Sequence, residues 1–511
     1  MAEWLASFVG GFSVLIDPIT LLAALTGIIV GVIVGAIPGL GIAIAIAVSI
    51  PVTFTMPAVP VLAYMLGIYK AGTYGGSISA ILMNTPGTPA AAATVLDGYP
   101  MAEQGRPVKA LRIALVASVA ADLMSVLVLI LVAEPLARIA LKFGPIEIVS
   151  LLLFSLTVVA AVSGRDILKG LLAAVFGVML ATIGFDPVAG VSRFSFGIVN
   201  LDDGISIIPM LVGLFAVSEV MFVFEQGLRR SGSGKVARVL DPDDGLTFAE
   251  VRPLMPIFVR ASAIGTSIGS LPGIGSTVAA FLSYADARRR SGNPERFGKG
   301  SPEGLAAAEA GNNAVIGGAL IPLLTLGIPG DVITAILLGV LTLQGITVGP
   351  LIFEEHREFV FQIFAILILS SVMLLAVGYY ATQLFSRVTR FNNAIIFPIV
   401  FALCVVGTFT LRNSYFDLWT MLVFGIIGYL MRRADMPLAP LIITFVLIER
   451  FEQALRQALI IGRGDWTVFL TKPISLGFLV LTALALVSIV RSRRRSTPAA
   501  SQTGGPPSSD P

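Results

Sequence analysis

Charge is what this chain of 511 residues has least of: Asp, Glu, Lys and Arg make up 13% of it, about half the share of an ordinary water-facing domain. So little charge cannot clothe a soluble surface of this size. The series of soluble domains that the length would otherwise suggest is excluded. There is one cysteine (Cys404) and one histidine (His356), which excludes a disulfide framework, thiolate metal clusters and His-rich metal sites. The net charge of +3 is too small to argue for nucleic acid. No basic residue precedes the first apolar run in MAEWLASFVGGFSVL, so a cleaved secretory signal is not expected.

What is there is apolar. Hydrophobic residues make up 56% of the chain and the mean hydropathy is +0.91. Apolar segments recur at 19–37, 40–56, 58–83, 109–134, 145–163, 167–184, 206–225, 254–271, 272–285, 313–328, 330–348, 358–380, 393–411, 415–431, 436–449 and 472–490. Several are too short or too broken by Gly and Pro to span alone, so the expectation is roughly 11–14 transmembrane helices plus re-entrant or broken pieces. No segment alternates as barrel strands do. The fold class is therefore all-α, a polytopic integral membrane protein held in the lipid bilayer, with an internal two-fold repeat. Residues 1–225 are read as the first half, 226–253 as a hydrophilic linker, 254–490 as the second half with additional C-terminal helices, and 491–511 as a disordered basic tail. A second polar island covers 286–312. The basic stop RSRRR places the C-terminus in the cytoplasm.

The repeat is visible in two motifs. Residues 31–41 read GVIVGAIPGLG and residues 265–275 read GTSIGSLPGIG, each a G-x-x-x-G followed by Pro-Gly-x-Gly. Downstream, 75–87 (GGSISAILMNTPG) and 317–330 (GGALIPLLTLGIPG) each carry Gly-Gly and then a second Pro-Gly. Proline removes a backbone donor and glycine permits backbone shapes closed to other residues. In hydrocarbon such a break is tolerated only where it is buried in protein or lines a cavity. Paired breaks at matching places in two halves point to a transporter binding site, with free N–H groups of half-helices facing an anion. The glycines of G-x-x-x-G (Gly31, Gly35, Gly265, Gly269) read instead as helix-packing positions. Pro38, Gly39, Gly41, Pro272, Gly273, Gly275, Pro329 and Gly330 are the site candidates of the breaks.

At these residues the sequence resembles the large membrane subunit of the tripartite tricarboxylate transporters, the TctA family. The carrying segments are PGLGIAIAIAVSIPVTF, YGGSISAILMNTPGTPAAAATVLDGYPMAEQG, GFDPVAGVSRFSFG, GLFAVSE, PGIGSTVAAFLSY, SPEGLAAAEAGNNAVIGGALIPLLTLGIPG and GITVGP. The resemblance implies ion-gradient-driven uptake of a carboxylate across the bacterial inner membrane. It also implies two partners, a periplasmic solute-binding protein and a small four-helix membrane subunit. It implies no cofactor beyond a coupling ion, Na+ or H+. Lys70, Asp122 and Asp331 depart from the family's pattern, which leaves the particular substrate open.

A carboxylate in a low-dielectric site needs donors or cations. Asn84, Thr85, Gly87 and Thr88 offer them after the first break, and Ser276, Thr277, Asn312 and Asn313 in the second half. Lys70 reads either as a cation for the substrate or as a residue that snorkels or pairs with an acid. Asp122 is either an ion-coupling site or Lys70's partner. Asp331 is an ion-coupling candidate, or else a cap for the helix that follows it. Asp97, in DGYP, reads as a loop turn, and the resemblance gives it more weight. Rival activities fare worse. GSGKVARV at 232–239 has Val236 where a phosphate-binding loop needs Ser or Thr. No acidic pair carries the flanking pattern of an intramembrane hydrolase, so no enzyme is expected. The alternative is a passive anion-selective channel, since Gly-rich re-entrant loops also build selectivity filters.

Overall fold

A computed structural model describes residues 2–38, 40–53, 56–162, 166–186, 190–227, 245–380 and 393–496. Gly39, most of the expected linker and most of the expected tail lie outside the described residues. The chain runs through α1 (Ala2–Phe12), α2 (Pro18–Ala36), α3 (Ile42–Thr53), α4 (Ala58–Met83), α5 (Ala91–Glu103), α6 (Pro107–Ala140), α7 (Pro145–Val162), α8 (Ile167–Ala181), α9 (Ile207–Leu211) and α10 (Ser218–Gly227). It continues through α11 (Phe248–Val251), α12 (Met255–Gly269), α13 (Gly275–Arg290), α14 (Pro302–Leu326), α15 (Val332–Leu343), α16 (Ile352–Glu355) and α17 (Arg357–Tyr380). The last helices are α18 (Asn393–Arg412), α19 (Tyr415–Arg433), α20 (Leu438–Ile461), α21 (Val468–Thr471) and α22 (Pro473–Ser496). A single antiparallel hairpin among the described residues, β1 (Gly184–Asp186) with β2 (Val191–Arg193), pairs Gly184 with Arg193 and Asp186 with Val191.

Among the described residues, four helical stretches are long and apolar enough to cross a membrane on length and composition alone: α2, α6, Ile207–Glu225 and α17. Most of the other apolar segments are shorter helices, or long ones such as α4 and α14 that carry buried polar side chains. The polar island 286–312 is not a loop throughout. It comprises the end of α13, a short connection, and the first eleven residues of α14, capped by the Ser301 hydroxyl accepting from the Gly304 N–H at 3.3 Å. Its basic residues are exposed, but Glu309 and Asn312 on α14 point into the bundle, where helical packing outweighs their loop-like composition.

Glycine spacing sets the central packing. On α2, Gly27, Gly31 and Gly35 lie against the backbone of α4: an added Cβ would stand 2.1 Å from Tyr64 O, 2.7 Å from Ile68 O and 2.3 Å from Gly72 O. No side chain fits there, and the backbones approach as small-residue stripes allow. The contacts advance in step, so α2 and α4 run parallel. On α12, Gly265 and Gly269 approach α14 in the same way, with an added Cβ 2.4 Å from Gly311 O and 2.6 Å from Val315 O. The first helices of the two pairs correspond at an offset of 234, and the second helices (Ile68 to Gly311, Gly72 to Val315) at 243.

The two pairs point opposite ways. Ser77 of α4 meets Glu309 of α14. Gly98 of α5, which touches Ile81 further along α4, also touches Leu305, earlier on α14. Thus α4 and α14 cross antiparallel. The orientation of the halves, open in the sequence apart from a slight lean of loop charge towards inversion, is inverted in the structure. Helix α6 runs alongside α14, with Ser118 at Asn313 and Ser125 at Gly317. Helix α17 closes the group against α4 and α6 through Leu367 and Ser371.

Candidate functional site

Both long helices end on a left-handed residue at corresponding positions: Asn84 at φ +56° and Gly327 at φ +68°. Each end is followed by Pro-Gly (Pro86-Gly87 and Pro329-Gly330), and each tip folds back onto its own helix pair. The Gly87 N–H donates to Gly76 O at 3.1 Å, and a Cβ on Gly87 would stand 2.2 Å from Gly35 O. A Cβ on Gly330 would stand 2.9 Å from Gly269 O, the matching atom of the second pair. The second tip is also tied to the break after α12, where the Gly273 N–H donates to Gly330 O at 2.8 Å. The glycine of each tip is thus packed against protein, and the second tip is buried throughout, while Asn84, Thr85 and Pro86 of the first are exposed.

The candidates fall around these tips unequally. Asn84 and Thr85 are exposed at the first tip, while Gly87 and Thr88 are buried beside Gly76. Pro38 and Gly41 flank the first break, and Pro272 and Gly275 (φ +76°) the second. Ser276 and Thr277 open α13, half-buried. Pro329 and Gly330 are buried. Asp331 caps α15, accepting from the Thr334 N–H at 2.8 Å and from the Tyr69 hydroxyl. Asn313 donates to Ser118 Oγ at 2.8 Å. Asn312 is 1% exposed, and neither its amide nitrogen nor its amide oxygen has a partner among the described residues.

Lys70 and Asp122 form an ion pair of 2.7 Å, at 1% and 3% exposure. The Lys70 ammonium also donates to Leu367 O at 2.5 Å and Ser371 Oγ at 2.8 Å, and the Ser371 hydroxyl donates to Asp122 Oδ2 at 2.5 Å. This geometry ties the lysine to protein acceptors on α6 and α17. Asp97 does not lie in a loop turn. It sits within α5, and its Oδ1 accepts from the N–H groups of Gly298, Gly300 and Ser301 at 2.9, 2.9 and 2.8 Å. Three backbone donors outweigh the turn preference of Asp-Gly.

Sequence reasoning missed two features. Glu309 is wholly buried on α14, and its signal was an acid within a run of small residues, AAAEAGNNAV. The other is a cavity of about 690 Å³ beside α15, lined by Leu338, Gly339, Thr342, Arg193, Arg412 and Arg450 among others. Arg193 is paired with Glu452 at 2.7 Å, whereas Arg412 and Arg450 form no ion pair among the described residues. Arg450 donates instead to Gly327 O and Val348 O, each at 3.3 Å, beneath the second tip. At the opposite end, the Thr247 N–H and the Lys109 ammonium (2.9 Å) hold the Glu250 carboxyl down to about 2.

Against known proteins, residues 21–443 match the model of the tripartite tricarboxylate transporter TctA family. The chain belongs to that family. An uncharacterized 52.8 kDa protein of the TAR-I ttuC' 3' region of Agrobacterium vitis is 34% identical over 499 residues, covering 97% of this chain and 98% of that protein. A second uncharacterized protein, from the TAR-II ttuC' 3' region of Agrobacterium vitis, is 37% identical over 234 residues, 45% of this chain and 97% of its own length. No solved structure matches the chain. Membership makes the chain a membrane component of a transporter.

Proposed function

We propose that the chain is the permease of an ion-gradient-driven system that takes up tricarboxylates or related carboxylates across the inner membrane. It would work with a small four-helix membrane subunit and a periplasmic binding protein. The observation that carries this reading is the pair of Pro-Gly tips, folded back at matching positions onto two oppositely directed helix pairs, the arrangement in which alternating-access carriers hold substrate and ion. Basic residues collect at the end that holds Lys109 and Glu250: Arg106, Lys109, Arg252, Arg288, Arg289, Arg290, Arg296 and Lys299. That end is therefore cytoplasmic, together with the C-terminus. The cavity with Arg412 and Arg450 then faces the periplasm, where a delivered carboxylate meets guanidinium groups first. Asn312 supplies a buried amide for the substrate, and Na+ or H+ drives the cycle.

The test is uptake of radiolabelled citrate and a panel of other carboxylates into proteoliposomes holding all three components, with and without imposed Na+ and pH gradients. Saturable, gradient-dependent uptake is expected. Uptake that neither saturates nor follows a gradient overturns the reading in favour of an anion channel. Asn312→Ala should lower uptake about tenfold or more, ~1.4 kcal/mol, with thermal stability unchanged or raised. The reason is that an amide without partners loses no hydrogen bond when it is removed.

A further inference from the structure

Glu309 lies at the crossing of four helices with 0% exposure. Its Oε1 accepts from the Ser77 hydroxyl of α4 at 2.6 Å and from the Thr94 hydroxyl of α5, and its Oε2 accepts from the Ser118 hydroxyl of α6 at 3.0 Å. Ser118 Oγ in turn accepts from Asn313 Nδ2. Among the described residues no Lys or Arg stands within ion-pair distance of it. A carboxylate so placed accepts three hydrogen bonds and has no charge to balance it, and a buried charge of that kind is costly.

We propose that Glu309 is a reversible proton-binding site whose loading and release accompany transport. This deepens the permease reading and rests on it for the word transport, though not for the proton. The chemistry of the shell selects the ion. A metal cation held by oxygens stands ~2.3–2.6 Å from each of them, which forces neighbouring ligands more than about 3 Å apart. The Ser77 oxygen, 2.6 Å from the carboxylate, lies closer than that and leaves no place between them. A proton needs no such place. Hydroxyl groups donate when the carboxyl is ionised, and one can rotate to accept when it is protonated. The same shell therefore satisfies both states.

The neighbouring charges are already committed. On α4, Lys70 is paired with Asp122 of α6, Tyr69 donates to Asp331, and Tyr74 is an uncharged phenol. On α5, Asp97 is held by three backbone N–H groups. Near the start of α6, Lys109 is paired with Glu250, and Arg112 lies over the Tyr379 ring. On α12 and α13, Arg260 is paired with Asp286, and Tyr284 packs edge-on to Phe297. Glu303 stands in the first turn of α14 itself. The charge of this crossing is therefore set by one proton on Glu309.

The test has two independent arms, both on the full-length protein in lipid. Infrared difference spectra between about pH 5 and about pH 9 should contain the carbonyl band of a protonated buried carboxyl. That band should be absent in Glu309→Gln and kept in Asp122→Asn. Ser118→Ala, which removes one of the three donors, should keep the band and displace the pH at which it appears. In the reconstituted three-component system, Glu309→Gln should keep carboxylate exchange at equilibrium and lose accumulation driven by a pH gradient, at least about tenfold. A band unchanged in Glu309→Gln, or pH-driven accumulation that survives it, overturns the proposal. A wild-type protein that shows the band and transports no member of the panel overturns the permease reading and leaves the proton site standing.

Discussion

Two buried charge sites lie one helical turn apart on α6, and they are built on opposite principles. At Asp122 the carboxylate meets an ammonium, and the pair is neutral as a unit. At Ser118 the hydroxyl meets Glu309, which has only hydroxyl partners and no counter-charge. The first arrangement is costly to break in either direction, because removing one member strands the other in a dry interior. The second tolerates gain or loss of a proton, because its partners can reverse their hydrogen bonds. A protein needing both a fixed crossing and a variable charge between the same helices has reason to keep the two apart. The lesson is that burial alone does not distinguish a structural acid from a working one; the identity of its donors does.

Mutations can break that contrast in a definite order. The largest effect is expected for Lys70→Met, which strands Asp122. A loss of about 3–5 kcal/mol should appear as a lower unfolding temperature in detergent, and Lys70→Met with Asp122→Leu should recover most of it. Next come Gly35→Ala and Gly269→Ala, each placing a methyl against a carbonyl oxygen of the partner helix. Each should cost ~1–3 kcal/mol, and near-equal losses would sharpen the equivalence of the two helix pairs. Glu309→Gln should change stability by no more than ~1 kcal/mol, since an amide can both donate to and accept from the same hydroxyls. A loss as large as that of Lys70→Met would erase the distinction between the two sites.

The smallest effect lies outside the membrane, at Glu250. Its folded carboxyl is held well below the ordinary range, chiefly by the Thr247 N–H and then by Lys109. Its contribution is therefore present above the unfolded value, about 4.3, and is lost as pH falls towards about 2. Solvent exposure limits it to under ~1 kcal/mol. The difference in unfolding temperature between wild type and Glu250→Gln should shrink steadily over that window.

Much of this was legible in the sequence where local chemistry and burial agree. The segment 58–83, read from its apolar run, is α4 to the residue, because Pro57 precedes it and a left-handed Asn84 ends it. The breaks at Pro-Gly were visible for the same reason. Where burial contradicts composition, the sequence misled. The start of α14 was hidden because Glu309 and Asn312 look like loop residues and are fully inside. Asp97 looked like a turn because its donors come from residues some 200 positions away, at 298–301. Lys70 and Asp122 could be named as possible partners but not paired, since 52 residues and one intervening helix separate them. Arg450 gave no local sign at all, as its place depends on where Gly327 ends a different helix.

The clamp on Asp97 has a consequence for how the molecule is made. The two halves match at an offset of 234 before the connection that precedes α14 and at 243 after it, so the second half holds nine residues more there. The connection includes Gly298, Gly300 and Ser301, the donors to Asp97. Synthesis delivers the N-terminal segments first, so α5 enters the membrane with a carboxyl whose partners do not yet exist. Until the chain has grown about 200 residues further, that carboxyl lacks the three backbone donors that hold it in the finished fold. Docking of that loop onto α5 would be the event that marks the first half as finished.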